Sequence, residues 1–248
     1  MKMKNVMNFP TKIVVIVLML VAGIKNTYGQ QDPQYTQYMY NTMSINPAYA
    51  GSNDFLSITA LARSQWVDVN GAPETQTFSL HTPIRYSGLG FGINIINDKL
   101  GPSQEVYFDA NLSYTIRTSE EGNLAFGLRL GGRTLNLDWT KGNFQNPADV
   151  IFNTNIENKF LPTLGAGFFY HTEKAYFGVS VPNFLRTEHY DDFLESTALE
   201  RLHYFFIAGY VFDINESIKF KPAAIAKVVA GAPLSVDLSA NFYHGIGI

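Results

Sequence analysis

The sequence predicts an all-β fold, an antiparallel transmembrane β-barrel with about ten strands in this chain. Apolar and polar residues alternate with a period of two over long segments, as they do in a strand whose two faces meet different surroundings. Several predicted strands reach ten or more residues, which is the length that crosses a bilayer when tilted. The chain also begins with the pattern of a secretory leader. Together these observations favour a barrel in an outer membrane.

The clearest strand is predicted from Gln104 to Arg117. One face carries Val106, Phe108, Leu112 and further apolar residues, whereas the other carries mostly polar ones such as Asn111. We expect Leu112 on this strand, and Leu128 on the next, to face lipid. We expect Asn111 to face the interior and to accept a charged replacement more readily than Leu112.

The remaining strands follow the same alternation. They are predicted at 56–66, 75–81, 89–96, 123–131, 160–170, 175–181, 202–213, 217–229 and 235–243. The even-numbered connections are short, the first and third are intermediate, and the fifth and seventh are long. Short turns on one side and long loops on the other are typical of outer-membrane barrels, with the short turns in the periplasm.

A soluble sandwich or lipocalin-like barrel is the competing architecture. Soluble strands usually have about five or six residues. The faces predicted to point inward also carry charges of both signs, which suit a water-filled interior better than a packed core. The predicted interior arginines are Arg63, Arg129 and Arg133. We expect them to pair with Glu105 and Asp109.

Residues 1–29 have the layout of a cleaved signal peptide. Lys2, Lys4 and Lys12 precede an almost unbroken apolar stretch at 13–24, which is too short to cross a bilayer as a helix. Cleavage is predicted near Gly29 and Gln30. Removal of residues 1–29 takes away four lysines and no acidic residue. The mature chain therefore has 14 basic and 21 acidic residues and a net charge of −7.

Charge and residue types exclude several functions. An acidic chain without a basic cluster is a poor partner for nucleic acid. The sequence has no cysteine, and its five histidines are dispersed without the spacing of a zinc enzyme. Ser79 and His81 lie on one predicted strand, where barrel interiors commonly carry such residues. We therefore predict no enzyme activity, no metal site and no cofactor.

Residues 30–54 form a tyrosine-rich segment that fits neither strand nor helix periodicity, and residues 55–248 form the predicted barrel. Tyr35, Tyr38, Tyr40 and Tyr49 concentrate on this segment. Tyrosine buries a large amphipathic area at little rotamer cost, which suits recognition of a partner. The segment is predicted to be either a docking peptide or a plug that packs the barrel.

Several stretches resemble the PorP/SprF family of type IX secretion system outer-membrane proteins. They cover nearly the whole mature chain in the expected order: QQDPQYTQYMYNTMSINPAYAGS (30–52), QWVDVNGAPETQTFSLHTPI (65–84), GLGFGINIINDKLGP (88–102), NKFLPTLGAGFFY (158–170), FGVSVPNFL (177–185), HYFFIAGYVFDI (203–214) and KPAAIAKVVAGAPLSVDLSANF (221–242). Asp68-Val69-Asn70 stands where relatives carry a different tripeptide.

The resemblance implies a non-enzymatic component of the type IX apparatus in the outer membrane. Its expected partners are membrane lipid, other secretion components and secreted clients with C-terminal sorting domains, including gliding adhesins. The alternative is a small porin or hydrophobic-solute channel. The tyrosine-rich segment favours the first function, because a porin needs no such arm.

The chain departs from the resemblance at its end. The family continues with several strands beyond the position of Asn241 and Phe242, whereas this sequence stops at Ile248. An unpaired strand in lipid is costly, so ten strands must close on themselves or the chain is shortened. The expectation from the sequence is a shortened member of the family.

The leader generates the first prediction. Replacing Leu18 by Arg in the middle of the apolar stretch should leave the chain as an uncleaved precursor, because a charge there opposes entry into the export path. Mass spectrometry of the wild-type protein recovered from membranes should give Gln30 as its first residue. Leu18→Val is the matched control, which should be processed normally. If the wild-type protein recovered from membranes still carries residues 1–29, the prediction of a cleaved signal peptide is contradicted.

Overall fold

The computed structural model describes residues 40–85, 87–141, 155–185 and 201–245. These ranges contain eleven strands: β1 (Ser57–Ser64), β2 (Glu74–Ile84), β3 (Leu89–Leu100), β4 (Ser103–Arg117), β5 (Asn123–Leu137), β6 (Ile156–His171), β7 (Ala175–Val181), β8 (His203–Tyr210), β9 (Phe212–Asn215), β10 (Ile218–Val229) and β11 (Ser235–His244). Short 3₁₀ turns lie at Thr42–Ser44, Pro47–Tyr49 and Trp139–Lys141. No helix in these ranges is long and apolar enough to cross a membrane.

The strands form one antiparallel sheet in sequence order. The hydrogen-bonded path runs from β1 through β8 to β10 and β11, and β9 pairs with β10 beside β8. This confirms the all-β class and all ten predicted strands. The eighth predicted strand, 202–213, is divided into β8 and β9.

The division falls at Val211. Its amide donates to the carbonyl of Lys174, in the turn between β6 and β7, at 2.7 Å, which extends the pairing of β7 with β8 by one residue. The Lys174 ammonium also lies 2.7 Å from a carboxylate oxygen of Asp213 on β9. The hydrogen bond with Asp213 raises the pKa of Lys174 above its ordinary value. β8 and β9 keep the same register against β10, and the break lies where Pro222 of β10 has no amide hydrogen to donate.

Connection lengths separate the two ends of the sheet. At one end, which we call the turn end, the connections are 85–88, 118–122, 172–174 and 216–217, all short as predicted. The other end, the loop end, carries the long connections 138–155 and 182–202. The expectation of an intermediate third connection is wrong. Only residues 101–102 join β3 to β4, because both strands extend further than their alternation indicated.

The two faces of the sheet are inverted relative to a soluble protein. On β4 and β5 the outward side chains are apolar and exposed, with Leu112 at 48% and Leu128 at 58%. Many of the buried inward side chains are polar or charged, as Asp109, Asn111, Arg129 and Arg133 are, and they lie beside apolar ones such as Ala125. Soluble proteins rarely expose continuous apolar surface of this extent or bury so many charges. The arrangement fits a barrel with lipid outside.

The sheet curls around residues Asn41–Ser52, which we call the inner segment. Asn41 donates to Ser79 on β2, while Ile45 and Ala48 pack in one cluster with Phe205 on β8 and Ile225 on β10. Strands far apart in the hydrogen-bonded order thus contact the same short segment. The curl gives the sheet a barrel-like interior that the inner segment occupies.

The interior at mid-height is packed, which corrects the expectation of a water-filled lumen there. Asn111 is fully buried, and its side-chain oxygen accepts from Nε of Arg129 at 3.1 Å. A longer charged residue has no room at this position. The expectation that Asn111 tolerates arginine better than Leu112 stays a prediction, and full burial of Asn111 argues against it; its inward direction is confirmed.

The outward apolar face generates the second prediction. Leu112→Arg or Leu128→Arg should each lower the free energy of unfolding in bilayers by about 2–4 kcal/mol, since each places a charge near the bilayer midplane. Urea titration of the protein folded into lipid vesicles measures this. Glu121→Arg in an exposed turn is the control and should change stability little. Equal losses at Leu112 and Glu121 would show that the outer face does not meet lipid.

Candidate functional site: the inner segment and its two cavities

Asn46 and Pro47 fix the local shape of the inner segment. The Asn46 side chain caps the second 3₁₀ turn by accepting from the amide of Ala48 at 3.0 Å, and Pro47 occupies the first position of the turn. The amide nitrogen of Asn46 donates to the carbonyl of Phe168 on β6 at 3.0 Å. One fully buried asparagine therefore shapes the turn and joins it to the sheet.

Arg129 holds the first half of the inner segment from β5. Its Nη2 donates to the carbonyls of Met43 and Ser44 at 2.6 and 2.9 Å. Nη1 lies 3.9 Å from the Asp109 carboxylate on β4. Buried carbonyls must find donors, and a guanidinium supplies several in a fixed plane. Arg129 thus satisfies two backbone groups that would otherwise be buried unpaired.

Residues of β2 and β4 hold the ends of the inner segment. Asn41 donates to the hydroxyl of Ser79 at 2.6 Å, and that hydroxyl donates in turn to Asn94 on β3. At the other end, Nδ1 of His81 accepts from the amide of Gly51 at 3.2 Å, and Ser113 donates to the carbonyl of Ala50 at 2.5 Å. These bonds join the segment to strands on one side of the barrel.

Glycines on four strands leave room for this close approach. A Cβ at Gly127 would collide with the backbone of Pro47 and Ala48, and one at Gly90 would collide with the carbonyl of Ala50. A Cβ at Gly92, Gly167 or Gly178 would likewise collide with a side chain of the inner segment. Any larger residue at these positions would have to displace the inner segment.

Tyr49 packs the segment against the opposite wall. Its ring meets those of His81 and Phe169 edge-on, with centroids 5.4 and 5.3 Å apart. Burial raises the pKa of the Tyr49 hydroxyl, so this group stays protonated at neutral pH. Such edge-to-face pairs each add about 0.5–1.5 kcal/mol beyond area burial.

The expected pairing of interior arginines is confirmed for two of them. Arg129 lies beside Asp109, and Nη1 of Arg133 lies 3.4 Å from the Glu105 carboxylate. The Tyr107 hydroxyl donates to Glu105 at 2.6 Å and accepts from Arg133 at 3.3 Å. Arg63 sits on β1 opposite Thr75.

The inner segment separates two cavities. A loop-end cavity of about 80 Å³ is lined by Ser44 and Ile45 of the segment and by strand residues such as Arg133, His203 and Lys227. A turn-end cavity of about 210 Å³ is lined by Thr42, Tyr49 and Ser52 and by residues such as Tyr176 and Lys221. The two cavities share none of their described lining residues.

The predicted site residues fall in different places. Gly29, Gln30, Tyr35 and Tyr38 lie outside the described residues. Tyr40 is 66% exposed at the start of the inner segment, whereas Tyr49 packs inside. The docking role of these tyrosines stays a prediction. Ser79 and His81 are both buried and engaged with the inner segment.

Sequence reasoning missed the residues that hold the inner segment. The sequence pattern predicts only an ion pair for Arg129, and it predicts no contact for Asn46 or for the glycines of the inward faces. The Asn-Pro pair between Ile45 and Ala48, within a stretch lacking strand alternation, is a signal for an ordered turn. Nothing in the sequence shows that this turn lies inside the barrel. In the described ranges, no three His, Cys, Asp or Glu side chains are grouped to hold a metal ion.

Long antiparallel strands with an apolar outer face and a polar, occupied interior define a membrane β-protein. The family model described as "Type IX secretion system membrane protein PorP/SprF" matches residues 27–246. The chain belongs to this family. No curated protein and no solved structure matches it.

The glycine contacts generate the third prediction. Gly127→Val should destabilise the fold by about 1–3 kcal/mol, because its side chain overlaps the backbone of Ala48. Hydrogen exchange at the amides of residues 42–51 should accelerate more than exchange elsewhere. Ala208→Val, on the exposed face of β8, is the matched control and should leave both quantities unchanged. Normal protection of residues 42–51 in Gly127→Val would refute the close approach.

Proposed function

We propose that this chain is a non-enzymatic outer-membrane component of the type IX secretion system. In this proposal it supports secretion or surface attachment of client proteins with C-terminal sorting domains, including adhesins used in gliding. The family match over 27–246 carries the proposal. Residues 1–29 act as the signal peptide, and the mature chain enters the outer membrane from the periplasm.

The outward face supports the proposed location. The exposed side chains of β4, β5 and β11 include Phe108, Leu130, Val236 and Leu238. Burying such surface in hydrocarbon is favourable at about 25 cal/mol per Å². With the short turns in the periplasm, the loop end faces the cell exterior. The turn end then faces the periplasmic components of the secretion system.

The inner segment disfavours the porin alternative. It crosses the interior between the two cavities and is held by residues of β2, β4, β5 and β6. A solute path along the barrel axis requires these bonds to break together. Proteoliposomes carrying the wild-type protein should therefore show no swelling in arabinose, in contrast to a general porin used as a positive control. Rapid swelling would favour the channel function.

Deletion of the gene tests the proposed function directly. Loss of the protein should lower the amounts of one or more sorting-domain proteins in the medium and on the cell surface, as measured by quantitative mass spectrometry. Complementation with the wild-type gene should restore them. Unchanged amounts of every sorting-domain protein would contradict the proposal. Secreted proteins without the sorting domain serve as the internal control.

The tyrosine-rich segment generates the fourth prediction. If Tyr35, Tyr38 and Tyr40 dock a partner, replacing all three by Ala should leave heat-modifiable migration and protein level unchanged while client secretion falls. Tyr49→Ala is the contrasting variant. It should lower the barrel's heat stability, because the two edge-to-face ring contacts are lost. Undiminished secretion in the triple variant, with a normal barrel, would remove the docking role.

A further inference from the structure

The turn-end cavity is the larger and the more polar of the two cavities. Its volume is about 210 Å³, against about 80 Å³ for the loop-end cavity. Both volumes are below the roughly 300–1,000 Å³ of sites for drug-sized ligands. The turn-end cavity therefore has room for a ligand of a few heavy atoms, such as the end of one amino-acid side chain.

Inward residues of β6, β7 and β10 form one wall of the turn-end cavity. His171 of β6 is the register partner of Tyr176 on β7, and Tyr176 pairs in turn with Gly209 on β8. Because Gly209 has no side chain, the Tyr176 ring lies across it, and a Cβ there would stand 2.6 Å from the Tyr176 hydroxyl oxygen. The ring thereby reaches Lys221 on β10, whose ammonium lies 5.2 Å from the ring centroid.

The Lys221 ammonium keeps hydrogen-bond donors for a ligand. Among the described residues, Asp213 pairs with Lys174 at 2.7 Å, and no carboxylate forms an ion pair with Lys221. Glu173 also lines the cavity, but it is exposed in the turn after β6, where water and salt screen its charge. An ammonium has three N–H donors, and the face of the Tyr176 ring lies on one side of it only.

Hydroxyl groups of the inner segment face the same cavity. Tyr49 and Ser52 line it together with Tyr176. The Tyr49 hydroxyl lies beside that of Ser52 and interacts electrostatically with that of Tyr176. A hydroxyl can rotate to donate to an acceptor, and an ammonium only donates. The cavity thus gathers several donors around one small volume, which suits an anionic acceptor.

We propose that the turn-end cavity binds a carboxylate group, which accepts hydrogen bonds from the Lys221 ammonium and the Tyr176 hydroxyl. Hydrogen bonds to a charged group are about twice as strong as those between neutral groups. The rings of Phe169 and Tyr49 pack against the short apolar stem of the ligand. This carboxylate belongs either to a small free acid or to an Asp or Glu side chain of a peptide that reaches the turn end, and both present the same group.

Two lysines of β10 give a matched pair for the test. Lys221→Met removes the charge in the cavity and keeps an unbranched side chain of similar length. Lys219→Met makes the same change two residues away, at an exposed position that does not line the cavity. Tyr176→Phe removes the hydroxyl and keeps the ring beside Lys221. Heat-modifiable migration on gels identifies the folded variants, and Lys221→Gln takes the place of Lys221→Met if the latter does not fold.

The probes are 3,3,3-trifluoropropionate and its neutral analogue 3,3,3-trifluoropropanamide. Each is titrated by ¹⁹F NMR into the purified full chain in maltoside micelles at neutral pH, with empty micelles as the blank. The wild type and Lys219→Met should bind the propionate about tenfold more tightly than the amide, as expected for one charge-assisted contact. In Lys221→Met this ratio should fall towards one. Tyr176→Phe should weaken binding of the propionate about threefold, because one hydrogen bond is lost.

A competition experiment distinguishes the two sources of the carboxylate. The capped peptide acetyl-Gly-Gly-Glu-Gly-Gly-amide and its Gln counterpart are each added to the wild type with the propionate bound. Displacement by the Glu peptide alone supports the site and assigns it to an acidic side chain of a partner. If neither peptide displaces the propionate, the site is supported and assigned to a small free acid.

Four outcomes overturn the proposal. If the wild type binds both probes equally, or binds neither, the cavity does not select a carboxylate. An unchanged ratio in the folded Lys221 variant, or unchanged propionate binding in folded Tyr176→Phe, means that the carboxylate lies elsewhere. An equal loss in Lys219→Met and Lys221→Met indicates a nonspecific effect of net charge. Equal displacement by the Glu and Gln peptides shows that the carboxylate is not the group recognised.

Discussion

Much of this structure depends on the close contact between the inner segment and the strands around it. A backbone segment inside a barrel brings its own amides and carbonyls, and each needs a partner when buried. Arg129 and Ser113 supply donors to the carbonyls of Met43, Ser44 and Ala50. His81 and Asn46 accept from amides of the same segment. Glycines supply the space. Inward residues of six strands, β2 to β7, are thus set by one short stretch.

The same constraint explains why charges are tolerated in the interior. Taking a guanidinium out of water is costly unless it is paired and its remaining hydrogens are bonded. Arg129 meets this condition with a carboxylate, an asparagine oxygen and two carbonyls. The outward side chains need no such pairing, because they are apolar. Period-two alternation therefore reflects two different solvents rather than one core and one surface.

A barrel with an occupied interior has consequences for the proposed role in secretion. Under that proposal, the two ends and the outer wall are the surfaces where partners meet the protein, since the inner segment lies across the axis. The exposed Tyr40 belongs to the turn-end side through its chain neighbours Asn41 and Thr42, and Thr42 lines the turn-end cavity.

The sequence by itself determined the strands, their inward and outward faces and the family, because alternation and ordered motifs are local properties of the chain. It placed Leu112 outward and Asn111 inward, and it predicted that the interior arginines pair with Glu105 and Asp109. Tertiary structure alone decided what fills the interior. The path of the inner segment depends on contacts between Asn46 and β6 or Arg129 and Met43, which lie 122 and 86 residues apart in the chain. No periodicity encodes such distant contacts, because they arise only when the sheet curls.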